Sequence, residues 1–370
     1  MLQKVAAKDA QGRPCVGKVG TGGSGHYVKM IHNGIEHGMM SAICEAWGIM
    51  VNGLGMSYDQ IADVFNKWDS QGELVRLLFL SPTDKCLTAY QKGTFLINIG
   101  VRINTAKDPK TDERVITTVE DKVVQDITGE EGTGVWSNLE AVAQHIPAPT
   151  LTVAHYLRIA SADRRQRVRA QKTGGIEYTP QKMDIEDRHA FLEDLRLATY
   201  GSCLAAYIQG INCIDRANHE RHWNINFHEI LQIWRAGCII QEDYLSDLLE
   251  PIMKDYKSKE TVNLLFEPTI MADMKKVKPS LQRVIGQAVQ YDHVVPAISA
   301  SLEYFKYQTG TSTLTLTTVR ELQLTIITDL PTSFYEAQLD YFGNHMYDRK
   351  DDDPEGLPVE GKYSFEWKPA

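Results

Sequence analysis

Acid–base chemistry is suggested by one short stretch, KMIHNGIEHG at residues 29–38, which carries Lys29, His32, Asn33 and Glu36. Residues three, four and seven apart fall on one face of an α-helix, so the spacing predicts a single polar stripe. In a partly desolvated pocket the pKa of a lysine falls towards neutrality and that of a glutamate rises, so the two can exchange protons. The other interpretation is an exposed helix face with ordinary solvated charges.

The elements that would position this stripe are helices, and the expected fold class is all-α with long core helices. Ser57 before YDQIADVF is a predicted helix N-cap, and Pro147 and Pro149 mark the start of a later helix. Apolar residues at three-and-four spacing predict helices over residues 26–55, 58–68, 138–145, 150–170, 186–219, 227–256 and 280–307.

Composition excludes several classes of function. A net charge of −9 over 370 residues disfavours a broad surface for nucleic acid or an anionic membrane. The six cysteines form no CxxC pair or Cys/His cluster, so neither a metal site nor a disulfide framework is expected. The most apolar segment, residues 197–214, contains Gln209 and Asn212 and is interpreted as a buried core helix. Without an apolar leader, the expected compartment is cytoplasmic.

A glycine-rich run just before the stripe, GTGGSG, satisfies the GxGxxG pattern through Gly20, Gly22 and Gly25. A dinucleotide fingerprint also needs a preceding strand and a second parallel strand after the helix. Here one predicted helix leads to another. We therefore interpret the run as a flexible start to the stripe helix, where a ligand could approach the backbone closely.

Five collinear motifs carry a family resemblance: GGSGHYVKMIHNGIEHG, GEEGTGVW, YIQGINCI, WRAGCII and DYFGNH. Together they cover nearly the whole chain, and the series resembles the C-terminal domain of the 6-phosphogluconate dehydrogenase family. The resemblance implies an all-helical homodimer that oxidatively decarboxylates 6-phosphogluconate with NADP in the pentose phosphate pathway. It implies a small sugar acid phosphate as the ligand, and no nucleic acid or membrane partner.

The resemblance also implies roles for the stripe. Lys29 would take the hydroxyl proton at C3 of the substrate and return a proton during decarboxylation. Glu36 would protonate the enediol at C1. His32 and Asn33 would hold the substrate by hydrogen bonds and so fix the reacting carbon.

The residues that would bind the phosphate match the family pattern only in part. Thr133, Arg158 and His345 match family positions, and His345 would complete the pocket of the second copy. His37 stands where the family usually has a phosphate-binding tyrosine. A lysine and an arginine of the family pattern are replaced here by Glu131 and Leu339. Because charge-assisted hydrogen bonds contribute roughly 1.5–3 kcal/mol each, weaker binding of phosphogluconate is expected.

Three regions are predicted: a glycine-rich lead-in at 1–25, a helical domain at 26–350 and an extended tail at 351–370. The resemblance places an NADP-binding Rossmann domain before the stripe, so we expect this chain alone to bind no dinucleotide. Residues 75–91 and 313–328 are extra relative to the family. We interpret both as translated introns of a faulty gene prediction that also lost the Rossmann domain; the alternative is a pair of genuine surface loops.

Two other functions stay open. The first is a cofactor-free isomerase, cyclase or decarboxylase that acts on an unphosphorylated molecule, which the residues at positions 37, 131 and 339 favour. The second is a non-enzymatic dimerisation remnant, which only the absent cofactor domain supports. A full-length transcript with an upstream Rossmann exon would favour the dehydrogenase over both.

Overall fold

The computed structural model describes residues 2–70, 94–124, 132–174, 178–254, 256, 263–310, 332–343, 345–348 and 361–365. Helices dominate these residues, and no strand longer than an isolated bridge occurs among them. The all-α prediction is therefore confirmed. Both predicted inserts, 75–91 and 313–328, lie outside the described residues.

The α-helices are numbered in chain order. They are α1 (Leu2–Val5), α2 (Ser24–Gly48), α3 (Tyr58–Ser70), α4 (Phe95–Thr105), α5 (Thr133–Ala143), α6 (Pro149–Ala162), α7 (Arg164–Thr173), α8 (Arg188–Arg221), α9 (Phe227–Trp234), α10 (Asp243–Lys254), α11 (Pro268–Gln290), α12 (Pro296–Thr309) and α13 (Thr332–Gly343). A π-helical turn at Ile49–Gly53 extends α2, and short 3₁₀ turns occur at Val115–Thr118 and Leu264–Phe266.

The core is built on the packing of α2 against α8. Ile31 and Ile35 of α2 are fully buried, and a Cβ on Gly210 of α8 would lie 2.5 Å from Cδ1 of Ile35. One turn further, a Cβ on Gly38 would lie 3.0 Å from the Cβ of Ala206. The two backbones approach so closely because these positions lack side chains. The apolar face of α2 is thereby fixed, and its polar stripe faces away from α8.

Two helix starts lie where local sequence signals predicted them. The amide of Gln60 donates to Oγ of Ser57 at 3.3 Å, and the amide of Ser57 donates to Oε1 of Gln60 at 2.8 Å. This reciprocal pair is a capping box, so the predicted N-cap is confirmed. Pro149 lies at the first residue of α6, also as predicted.

Three predicted helices are broken in the structure. Residues 150–170 divide at Asp163, whose carboxylate accepts from the amide of Gln166 and so caps α7. Residues 227–256 divide where Gly237 has a φ of +78°, and 280–307 divide where Asp292 has a φ of +57°. Apolar spacing did not separate these helices, because their ends are set locally by a cap or by a residue of positive φ.

Backbone contacts group the chain into two compact units, Met1–Tyr304 and Phe305–Ala370. Within the second, the carboxylate of Asp340 on α13 accepts from the amide of Phe365 at 3.0 Å and from Oγ of Ser364 at 2.7 Å. Residues 361–365 of the predicted tail are extended, with Tyr347 and Tyr363 forming an isolated bridge. The predicted domain bounds at residues 25 and 350 stay a prediction.

No helix among the described residues is long and apolar enough to cross a membrane. The same residues contain no group of three His, Cys, Asp or Glu side chains arranged to hold a metal ion. The described cysteines, at positions 15, 44, 203, 213 and 238, form no disulfide.

A buried carboxylate on α2 holds the start of α12, and the sequence pattern gave no sign of it. Glu45 is 7% exposed and accepts from the amides of Ala297 at 2.8 Å and Ile298 at 3.0 Å, and from Ser41 Oγ at 2.9 Å. These amides are among the unsatisfied donors of a helix N-terminus. Burial raises the pKa of Glu45 to about 7, although the three hydrogen bonds oppose the rise.

Stability should therefore depend on pH through Glu45. Because its pKa is higher in the folded state, the native chain binds more protons than the unfolded chain between about pH 4.5 and 7, so the free energy of unfolding falls as pH rises through that range. Relative to Glu45→Gln, the unaltered chain should lose up to about 3 kcal/mol between pH 4.5 and 8. Urea unfolding of both chains across this range measures the difference, and parallel pH profiles would contradict it.

Candidate functional site

The stripe on α2 forms one connected set of side chains. Nζ of Lys29 donates to Oδ1 of Asn33 at 2.5 Å and lies 3.2 Å from Nδ1 of His32. Nδ1 of His32 lies 4.0 Å from Oε2 of Glu36. The prediction that these residues share one helix face is therefore confirmed, and the His32 ring lies next to both Lys29 and Glu36.

The side chains of the stripe differ in their exposure to solvent. Lys29 is exposed, the Glu36 side chain is 16% exposed and His32 is 1% exposed. We expected Lys29 to be partly desolvated. In the structure Lys29 is exposed, and its neighbours His32 and Glu36 are the residues removed from water. Burial raises the pKa of Glu36, while the positive charges of Lys29 and Arg158 oppose the rise. A glutamate of this kind retains a proton at a higher pH than a solvated one.

His32 is held as a neutral ring. Burial, followed by the charge of Lys29, lowers its pKa to about 4. Nδ1 of His32 lies 3.2 Å from Nζ of Lys29 and 3.3 Å from Oδ1 of Asn33, so one ring nitrogen faces both a donor and an acceptor. The ring meets Trp234 of α9 edge-on, with centroids 5.7 Å apart. Trp234 thus fixes the plane of His32, a role that its place in an apolar helix pattern did not reveal.

A second cluster lies at the other end of the stripe. His37 follows Glu36 on α2, is 8% exposed and accepts from Nη1 of Arg158 on α6. His155, one turn before Arg158, stacks on His37 with ring centroids 5.8 Å apart and planes 10° apart. The structure thus brings together His37 and Arg158, two of the residues that were predicted to bind substrate. His155 was missed, since a single histidine within an apolar helix pattern resembles a core residue.

The N-terminus of α5 closes this cluster. Thr133 is the first residue of the helix and is half-buried. A Cβ on Gly134 would lie 2.6 Å from Nδ1 of His155 and 2.8 Å from Cε1 of His37, so only a glycine lets the helix approach both rings. The free amides of this first turn, the Thr133 hydroxyl and Arg158 are chemically suited to an anion.

Three further residues from the sequence analysis are not in the described part of the first unit. His345 is exposed and belongs to the second compact unit, Phe305–Ala370, as does the half-buried Leu339 on α13. Glu131 lies outside the described residues. Within the first unit the structure therefore brings together Lys29, His32, Asn33, Glu36, His37 and Arg158, with Thr133 beside them.

The GTGGSG run does not form a dinucleotide site. A Cβ on Gly20 would lie 2.8 Å from the carbonyl oxygen of Trp223, and the amide of Thr21 donates to that oxygen at 2.9 Å. The close approach expected for a ligand is therefore made by the protein's own backbone. Ser24 then begins α2 directly, with no strand before it among the described residues.

Replacing Gly134 with alanine tests the close packing of α5 on the two histidines. The new methyl group would force apart side chains of two helices, so Gly134→Ala should lower the free energy of unfolding by about 1–3 kcal/mol. The matched control is Gly286→Ala in α11, where a Cβ meets nothing within 4 Å and alanine should stabilise by up to about 1 kcal/mol. Equal effects of the two changes in denaturant unfolding would contradict the packing described.

Comparison with known proteins agrees with this architecture. The family model for the 6-phosphogluconate dehydrogenase C-terminal domain matches residues 25–367. The decarboxylating 6-phosphogluconate dehydrogenase of Emericella nidulans is 38% identical over 384 residues, covering 100% of this chain and 70% of the relative. The enzyme of the same name from Buchnera aphidicola is 32% identical, covering 95% of this chain and 65% of the relative.

A solved structure is similar over the same extent. The 6-phosphogluconate dehydrogenase of Plasmodium falciparum, described in apo form and in complex with its cofactor NADP+ and its substrate 6-phosphogluconate, aligns with a TM-score of 0.78 and 32% identity. The alignment covers 99% of this chain and 67% of that protein. The chain thus spans about two-thirds of the length of the relatives it matches. It belongs to the 6-phosphogluconate dehydrogenase family, and the part of that family it represents is the C-terminal domain.

Proposed function

We propose that this chain supplies the acid–base and substrate-binding groups of a decarboxylating 6-phosphogluconate dehydrogenase. The reaction is the NADP-dependent oxidative decarboxylation of 6-phosphogluconate to ribulose 5-phosphate. The observation that carries the proposal is the connected stripe of Lys29, His32 and Glu36, with the anion-suited cluster around Arg158 at its end. An acid–base set beside an anion-binding set matches a phosphorylated substrate.

Lys29 and Glu36 divide the proton transfers. Lys29 accepts the hydroxyl proton at C3 as that carbon is oxidised, and returns a proton to the same oxygen when carbon dioxide leaves. Glu36 then donates a proton to C1 of the enediol, and Lys29 takes up the proton that the C2 hydroxyl loses as the ketone forms. Its raised pKa suits a proton donor, because a buried carboxyl group holds its proton until a stronger base is offered.

The other site residues bind and orient the substrate. His32 and Asn33 hold the sugar hydroxyls beside Lys29, and their contacts with its ammonium group already fix their direction. Thr133, Arg158 and His37 form the phosphate end. His345 of a second copy completes the pocket in this proposal.

Cofactor chemistry needs a separate site. The relative from Bacillus subtilis is NADP-dependent by name, and the solved Plasmodium falciparum enzyme is described in complex with its cofactor NADP+. The glycine-rich run at residues 20–25 does not fit a dinucleotide, since it packs on the backbone of Trp223. We therefore derive only proton transfer and substrate binding from this chain.

A homodimer is part of the proposal, and an apolar stripe on α5 supports it. Val135, Leu139 and Val142 lie four and seven residues apart and are 43%, 61% and 70% exposed, with Trp136 beside them at 55%. Leaving such a surface in water costs about 25 cal/mol per Å². A second copy of the chain would cover it.

Light scattering coupled to gel filtration tests the dimer. We expect twice the chain mass of 41.7 kDa at micromolar concentration. Leu139→Asp should shift the mass towards the monomer, because it places a charge within the apolar surface. Tyr178→Asp, at an aromatic residue that is 78% exposed and lies outside α5, is the control and should stay dimeric. A monomeric unaltered chain would contradict the proposal.

Calorimetric titration with 6-phosphogluconate tests the site. We expect binding by the unaltered chain, with Lys29→Met weakening it about tenfold or more through the loss of a charge-assisted hydrogen bond. Lys110→Met, at an exposed lysine of the loop after α4, is the matched control and should not change affinity. Equal affinities of the two variants would remove Lys29 from the site.

D-gluconate is the comparison ligand in the same titration. Tighter binding of 6-phosphogluconate supports the phosphate end of the proposal. Equal binding of both would favour the alternative, an enzyme for an unphosphorylated substrate. No binding of either ligand by a folded dimer would favour the non-enzymatic alternative.

A further inference from the structure

The contact between His37 and Arg158 fixes the state of the histidine. Nη1 of Arg158 faces Nε2 of His37 within hydrogen-bond distance. A guanidinium group carries five N–H donors and no acceptor, so Nε2 must present its lone pair. The ring proton then lies on Nδ1, and His37 is neutral.

The surroundings of the ring hold it in this state. His37 is stacked on His155 and covered by the first turn of α5 at Gly134. Burial, then the charges of Arg158 and His155, lower the pKa of His37 to about 3. His37 is therefore not a second cation for a phosphate group at any pH near neutrality.

We propose that His37 is a positioning residue, which accepts a hydrogen bond from Arg158 and so directs its guanidinium group to the phosphate end of the substrate. This inference rests on the proposed function for the identity of the ligand. It revises the substrate-binding role given to His37 above, since His37 acts through Arg158 rather than on the phosphate.

A neutral acceptor at this position has a specific advantage. Arg158 also lies near enough to Glu36 to oppose the rise in its pKa. Glu36 of α2 and the neutral ring of His37 are thus two titratable groups near the Arg158 guanidinium. By engaging one N–H without cancelling the positive charge, His37 leaves Arg158 charged for a dianion.

Long-range ¹H–¹⁵N NMR of the unaltered chain tests the contact directly and needs no substrate. We expect the His37 ring, assigned by its loss in His37→Gln, to carry its proton on Nδ1 from pH 5 to 8. A proton on Nε2, or an imidazolium ion within that range, would overturn the proposal even if 6-phosphogluconate binds.

A double-mutant cycle on the dissociation constant of 6-phosphogluconate tests the positioning role. His37→Phe keeps a ring but removes the acceptor and should weaken binding about tenfold, whereas His37→Gln, whose amide oxygen accepts from Arg158, should stay within about threefold. In an Arg158→Gln background, His37→Phe should cause no further loss. D-gluconate affinity should not change in any variant.

Additive losses from His37→Phe and Arg158→Gln would mean that His37 touches the phosphate itself, and would overturn the proposal. No binding by the unaltered chain would overturn the proposed function and the positioning role together. The NMR measurement would still decide the tautomer, so the two failures are distinguishable. Circular dichroism and thermal unfolding of each variant establish that a loss of affinity is not a loss of fold.

Discussion

The close approach of α2 to α8 is the constraint on which the rest of the structure depends. Gly210 and Gly38 leave room for Ile35 and Ala206, so the two helices meet almost backbone to backbone. This contact fixes the rotation of α2 about its axis. Because side chains on a helix have fixed angular positions, fixing the rotation also fixes where Lys29 and Glu36 point. The packing core and the polar stripe are two faces of one helix.

Differences in burial along that helix separate the proton affinities of its polar groups. His32 is almost completely buried and its pKa falls to about 4, whereas burial raises the pKa of Glu36. The same physical cause acts in opposite directions because burial disfavours the charged form, which is the protonated form of one group and the deprotonated form of the other. A neutral imidazole and a carboxyl group of raised pKa therefore lie beside an exposed lysine.

Much of this could be predicted from local sequence. Period and spacing predicted α2 and the shared face of the stripe, and Ser57 and Pro149 marked helix starts because caps depend on neighbouring residues. Contacts between distant segments could not be predicted. Glu45 caps α12 across more than 250 residues, and His155 stacks on His37 across more than 100. Such pairs exist only once the helices have packed, and an isolated buried glutamate or histidine has no sequence signature.

Hydrogen exchange at C1 of ribulose 5-phosphate tests most directly whether the stripe is an acid–base device. By microscopic reversibility, a group that protonates C1 of the enediol also removes a proton from C1 of the product. In D₂O, proton NMR should show one deuterium entering C1 stereospecifically, and Glu36→Gln and Lys29→Met should each abolish its incorporation. Exchange that persists in both variants, or an absence of exchange in the unaltered dimer that binds ribulose 5-phosphate, would contradict the account.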